Sequence, residues 1–265
     1  MPSLNPPLLA QLRAALPEIL REKYGDLACG GWAPRLRARF GHATPDDWYE
    51  ACVAALVTPA TCWLDVGCGR DIFPSNVATA SRLAGRCRRL VGIDPSDNID
   101  DNRFVHERVK LPVELYQPPQ RYDLITLRMV AEHIADPPAT VARLAALLAP
   151  GGRVVIYTVA RWSPSAVAAA LTPLGFHHRV KRLLWRVEER DTFPTVYAMN
   201  TRRVLQRQFA AAGLREELFQ RQADCRTTGR FRWLQAAELG LWKALQTIGL
   251  GYPETCILTV YRVPS

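Results

Sequence analysis

The sequence predicts an α/β protein built on a doubly wound, mostly parallel seven-stranded sheet, with a helical N-terminal extension and a helical insertion after the fifth strand. Three observations predict it. Between residues 61 and 158, short apolar runs alternate with stretches of helical periodicity, as strands buried on both faces require. The first run ends in a glycine-containing bend and the second in an acid, the arrangement of an open α/β sheet that binds its ligand beyond the strand ends. Two further strand-like runs near the C-terminus add a late antiparallel pair to the parallel set.

The elements follow in order. Leu8–Lys23 and Pro45–Val57 read as helices, the second from Trp48, Cys52, Ala55 and Leu56 at helical spacing. Gly30-Gly31-Trp32-Ala33-Pro34 between them reads as a loop. Cys62–Val66 is the first strand, and a helix follows over 75–84. Arg89–Asp94 is the second strand, Arg103–Glu107 a weaker third and Tyr122–Leu127 the fourth. A helix over 139–148 leads to a turn at Pro150-Gly151-Gly152 and a fifth strand, Arg153–Thr158. Residues 161–200 form the insertion. Thr201–Ala212 is a helix, Leu214–Gln220 a strand, 227–250 mostly helix, and Thr255–Arg262 the last strand. In the late helix Trp233, Ala237, Leu241, Leu245 and Ile248 recur at helical spacing, which predicts core or a dimer contact. The expected division is a helical extension over 1–44 and one domain over 45–265.

Composition narrows the function classes. With 265 residues, 48% hydrophobic and 22% charged, the chain is ordinary globular material with ample core. No run of about 18 apolar residues predicts a membrane span, and the first residues lack a signal-peptide pattern, so the expected location is cytoplasmic. The scattered, odd-numbered cysteines fit free thiols and give no metal-ligand spacing. The net charge of +9 is spread along the chain with acids interleaved, which predicts no nucleic-acid partner. A monomer or homodimer is expected.

The chemistry concentrates at the strand ends. Leu64-Asp65-Val66-Gly67-Cys68-Gly69-Arg70-Asp71 carries two glycines at the bend after the first strand, where a missing Cβ lets backbone approach a ligand. A nicotinamide or flavin fingerprint would place a third glycine at position 72, which is Ile72. Asp94 follows Gly69 by 25 residues, close to the spacing of a carboxylate that accepts from ribose hydroxyls.

Leu64–Gly69, Val91-Gly92-Ile93-Asp94, Tyr122-Asp123-Leu124-Ile125 and Leu148-Ala149-Pro150-Gly151-Gly152 together resemble the class I S-adenosylmethionine (SAM) dependent methyltransferases, a Rossmann-like family, and most of all its quinone-biosynthesis branch. The resemblance covers residues 45 to 160. It implies SAM as cofactor, with Gly67, Cys68 and Gly69 along the methionine moiety and Asp65 holding the loop or the SAM amino group. Asp94 would take the ribose, and Glu107 the place of an acid near the adenine, although His106 stands where the family has glycine. Arg128 and Met129, after the fourth strand, would face the sulfonium. Asp71 replaces a common third glycine.

SAM carries an activated methyl group, so the protein must mainly align an acceptor lone pair and exclude water. A hydroxyl acceptor also benefits from a base. His133 stands where a histidine recurs in related enzymes, and imidazole titrates near neutral pH; such a residue also packs at helix starts with no chemical role. Glu132 is a candidate acceptor contact, as an orienting partner of His133, or else a solvated surface acid, and Arg128 is an acceptor-binding cation or a salt-bridge partner. Trp162 and Tyr197, in the insertion, are candidate contacts to the acceptor. The basic, aromatic run Phe176–Arg186 reads as a packed amphipathic helix, or as a lid with weak membrane-surface contact. The resulting expectation is an enzyme that methylates oxygen or nitrogen of a small molecule, such as a secondary metabolite or a lipid-linked or saccharide intermediate. An RNA or protein methyltransferase and a catalytically silent SAM-fold scaffold are the alternatives.

Overall fold

The computed structural model describes residues 6–27, 30–171 and 194–264. The central sheet has seven strands in the order β3-β2-β1-β4-β5-β7-β6: β1 Cys62–Val66, β2 Arg89–Ile93, β3 Glu107–Val109, β4 Tyr122–Arg128, β5 Leu148–Val159, β6 Arg215–Ala223 and β7 Thr255–Arg262. β1 to β5 are mutually parallel, and β7 runs antiparallel between β5 and β6. The strand order reverses at β1, so the β1 and β4 ends open onto the crevice that such sheets use for ligands.

Helices cover both faces. α1 (Pro6–Tyr24), α3 (Pro45–Leu56) and α4 (Val77–Arg86) lie on one side, where Leu12, Tyr49 and Leu83 pack on Trp63, Leu90, Leu124 and Val155. α5 (Pro137–Leu147) and α7 (Arg202–Ala211) lie on the other, where Leu144 and Phe209 join Leu64, Ile125, Leu127 and Ile156. Trp63 and Leu64 sit on opposite faces because side chains alternate along a strand. Local chemistry starts these helices: Thr44 and Asp47 form a reciprocal capping box before Pro45, and Asp136 accepts from Ala139 N before Pro137. α6 (Pro164–Leu171) follows β5; residues 172–193 of the predicted insertion, including the Phe176–Arg186 run, lie outside the described residues.

Four expectations shift. The predicted Gly-Pro loop starts a helix, α2 (Trp32–Phe40), with Gly31 as its N-cap and Pro34 in the first turn, where proline costs no hydrogen bond. The third strand begins at Glu107, not Arg103, because Asn102 Oδ1 accepts from Phe104 N and Val105 N and holds that stretch in a turn. Pro150–Gly152 is a bulge inside a longer β5, visible as a register shift against β4 between Tyr122 and Leu124. The stripe expected as core or a dimer contact in α8 (Arg232–Thr247) faces outward, which removes the core alternative: Trp233 is 87% exposed, while Leu239 and Trp242 pack on Leu36 and Phe40 of α2. β6 and β7 do pair, but through α8 instead of a hairpin turn.

Candidate functional site

A cavity of about 550 Å³ opens at the C-terminal ends of β1, β2 and β4, within the range of small-molecule and cofactor sites. Its first wall is main chain. Gly67 N and Cys68 N both donate to Ile93 O, at 2.7 and 3.2 Å, and Gly69 N donates to Asp94 Oδ2 at 2.9 Å. Gly67 has φ +70° and a Cβ there would lie 2.3 Å from Val130 Cγ2, so both conformation and space demand glycine. Gly69 has φ +46° with open space around its missing Cβ. Asn102 supports the bend from below: fully buried, it donates to the carbonyls of Cys68 (3.3 Å) and Gly69 (3.0 Å). The sequence reading missed it. Its signal was an Asx position ahead of two turn amides, which by itself says nothing of the loop across the sheet.

Asp94, at the end of β2, is buried and already accepts three hydrogen bonds, from Gly69 N and from Ser96 N and Oγ. An ionised carboxylate has about four acceptor positions, so it retains capacity for one ligand hydroxyl. Leu111, Pro112 and Val113 continue the wall after β3. Glu107 is not part of the lining: it stands at the start of β3, its side chain ion-paired with Arg89 and about two-fifths exposed. β3 starts four residues and ends two residues later than expected, so Glu107 opens the strand and the apolar Leu111 region, not Glu107, faces the cavity.

Asp65 lies beneath the cavity. Thr126 Oγ1 donates to its Oδ1 at 2.5 Å, and Trp63 Nε1 donates to Thr126 Oγ1 at 2.7 Å. Burial pushes its carboxyl up to about 7 against the lowering effect of Thr126 and Arg128.

The opposite wall comes from the chain after β4: Arg128, Met129, Val130, His133 and Ile134. Met129 has φ +55°, a strained value for a side-chain-bearing residue, fixed by its N–H donating to Tyr157 O at 2.7 Å. Arg128 both lines the cavity and donates to Asp46 Oδ1 at 2.6 Å. Asp46 also accepts from Arg226 at 2.5 Å and Tyr157 OH at 3.3 Å. Burial alone would raise the Asp46 carboxyl, but Arg128 and Arg226 hold it far below the usual carboxylate range. This hub, at the start of α3, lay outside the motif set.

His133 reaches the cavity from a short 3-10 turn, and its Nδ1 lies 2.9 Å from Pro194 O. A carbonyl only accepts, so Nδ1 carries the proton and the basic lone pair of the neutral ring belongs to Nε2. Glu132 supports that arrangement through its backbone: its carbonyl accepts from Val196 N (2.7 Å) and Tyr197 N (3.0 Å). Its side chain points away into the protein, accepting from Thr158 Oγ1 at 2.5 Å, and burial raises its carboxyl. Trp162, 73% exposed beneath the Arg161 guanidinium, and Tyr197, partly buried at φ +53°, do not line the cavity among the described residues.

A glycine bend, a strand-end acid and an apolar wall within one cavity suit a nucleoside carrying an amino-acid chain. Comparison with known proteins agrees: a family model described as a methyltransferase domain matches residues 20–217. The chain belongs to that family. Its fold and cofactor are those of the class I SAM-dependent methyltransferases, with SAM as methyl donor. The ubiquinone biosynthesis O-methyltransferase of Bordetella bronchiseptica is 28% identical over 152 residues, 53% of this chain and 60% of that protein. That of Rhodopseudomonas palustris (strain BisB18) is 32% identical over 114 residues, 40% of this chain and 42% of that protein. The methyltransferase domain here thus spans about half the length of these curated relatives. Among solved structures, a putative sarcosine dimethylglycine methyltransferase from Galdieria sulphuraria shares the fold, with a TM-score of 0.52 at 13% identity over 90% of each chain. Among the described residues no helix is long and apolar enough to cross a membrane.

Proposed function

We propose that the protein transfers the SAM methyl group to oxygen or nitrogen of a small-molecule acceptor, with a hydroxyl oxygen favoured and His133 as general base. The observation that carries this reading is the His133–Pro194 hydrogen bond, which leaves the basic nitrogen of a cavity-lining imidazole at Nε2. The O-methyltransferase relatives support oxygen as the receiving atom.

Bound SAM supplies a methyl group activated by the sulfonium charge. In this reading Gly67, Cys68 and Gly69 hold its methionine end and Asp94 takes a ribose hydroxyl in its remaining acceptor position. Asp65 stiffens the bend from below. Arg128 and Met129 lie beside the reacting end, with Arg128 held by Asp46. The apolar wall from Leu111 to Val113 excludes water. His133 Nε2 accepts the hydroxyl proton as the acceptor oxygen becomes nucleophilic, a role worth roughly 10²–10⁴-fold in rate. Glu132 positions His133 through the 194–197 segment, and Trp162 and Tyr197 belong to the insertion over 161–200, which we assign to the acceptor side of the domain over 45–265.

The test compares His133→Ala with Asp94→Ala in calorimetry with SAM and in turnover of a catechol- or phenol-type acceptor. His133→Ala is expected to keep SAM affinity within about twofold and to lose roughly 10²–10⁴-fold in kcat. Asp94→Ala is expected to lose about 10–100-fold in SAM affinity, the equivalent of one charged hydrogen bond. A folded His133→Ala protein that no longer binds SAM would refute the base assignment.

A further inference from the structure

The helix pair α2 and α8 sits where β6 ends and β7 begins, at the same end of the sheet as the C-terminal end of β5, and carries an unusual surface. The inward side of α8 packs through Leu239 and Trp242. Its outward side is also apolar: Trp233 is 87% exposed, Leu234 52%, Leu241 54% and Ile248 68%. A helix with two apolar faces is not finished by the contacts among the described residues. Phe231, 60% exposed, extends the face at the start of the helix.

The exposed charge on these two helices has one sign. Arg35 and Arg39 on α2, with Arg232 and Lys243 on α8, are exposed. The sole carboxylate within either helix is Glu238, which is buried and accepts from Thr228 N, Thr228 Oγ1 and Tyr252 OH. Outward-facing Trp, Leu and Ile flanked by cations, with no exposed acid, is the pattern of a helix that lies in an anionic lipid interface, its apolar side at the acyl boundary and its cations among headgroup phosphates.

We propose that the α2–α8 face docks on an anionic phospholipid surface. Two other occupants fit less well. A two-fold contact between copies of this chain would bring Arg232 and Lys243 from both partners to one interface with no acid to meet them. A nucleic acid would use the cations and the two aromatic rings, but it has no use for the aliphatic run through Leu234, Leu241 and Ile248.

The experiment uses the full chain with vesicles of phosphatidylcholine alone and of phosphatidylcholine containing roughly 30% phosphatidylglycerol, read by sedimentation and by Trp fluorescence. At least about tenfold stronger partitioning into the anionic vesicles is expected, weakening as salt rises. Arg232→Glu with Lys243→Glu should cost about fivefold or more for each cation reversed. Trp233→Ser with Leu241→Ser should cost about tenfold, whereas Leu115→Ser, at an exposed site elsewhere, should change nothing. SAM affinity measured in parallel on each variant shows that the fold is intact. Equal partitioning into both vesicles, or partitioning indifferent to both double variants, overturns the proposal. So does a dimer in solution that dissociates with Trp233→Ser, or binding of single-stranded RNA that competes with the vesicles.

Discussion

On the β1–β2 side, the cavity wall is main chain held at every amide, with each N–H of the Gly67–Gly69 bend tied to the Ile93 carbonyl or the Asp94 carboxylate and the Cys68 and Gly69 carbonyls tied to the Asn102 side chain. On the β4–β5 side it is a set of side chains on irregular backbone, where Met129 holds positive φ and His133 leans on the Pro194 carbonyl, 61 residues downstream. The first wall has one geometry available to it. The second is assembled from pieces that could be repositioned by a few altered contacts. In the proposed reading this asymmetry divides the work, with the rigid half holding the donor and the adaptable half facing the acceptor.

The largest test of the rigid half is Asp65→Asn. Burial raises Asp65 to about 7, above the ordinary aspartate near 3.9. Between these values the folded protein binds a proton that the unfolded chain has released. Stability therefore falls as pH rises from about 4 to about 7 and stays low above it. Asparagine keeps an acceptor for Thr126 and removes the ionisation, so the variant should gain on the order of 4 kcal/mol at pH 8 and nothing near pH 4. Urea melts across this range check it. A flat difference across pH would mean that Asp65 ionises without cost, and that the bend rests on a charge instead of a neutral hydrogen-bonded acid.

Gly67→Ala comes next. Left-handed backbone costs an alanine about 1–2 kcal/mol, and displacing Val130 adds about 1–3, so about 3 kcal/mol is expected in the same melts, with SAM affinity lost alongside. Val130→Ala in the same chain should recover the steric part and leave the strain. Full recovery would mean that space alone, and not backbone conformation, selects glycine here.

How much could be read in advance follows the same division. β1, with its bounds at Cys62 and Val66, the glycine bend and Asp94 were legible because each is local: an apolar run, a missing Cβ and an acid at fixed spacing. Asn102 and Asp46 were not, because their roles exist only once strands and helices distant in sequence meet. β3 slipped by several residues since Phe104 and Val105 are as apolar as a strand, yet their amides are taken by Asn102. That slip also left Glu107 at the start of β3, outside the cavity lining. The outward stripe of α8 has the same helical period as a core stripe, and periodicity cannot tell which of two apolar faces is covered.

The smallest expected effect probes the adaptable half. If Glu132 assisted His133 through its charge, Glu132→Gln would lower kcat almost as far as His133→Ala. The geometry argues otherwise: the carboxylate is buried, raised by that burial, and spent on Thr158, while the link to the histidine runs through the Glu132 carbonyl to Val196 and Tyr197 and so to Pro194. Glutamine preserves that carbonyl and still accepts from Thr158. Glu132→Gln should therefore change stability by less than about 1 kcal/mol, as for a conserved neutral hydrogen bond, and leave kcat within about threefold, with an unaltered pH profile. A large fall in kcat with SAM affinity intact would instead make the acid an electrostatic partner of His133. The second wall would then be held by charge, as Arg128 is by Asp46, and not by the fold of residues 194–197.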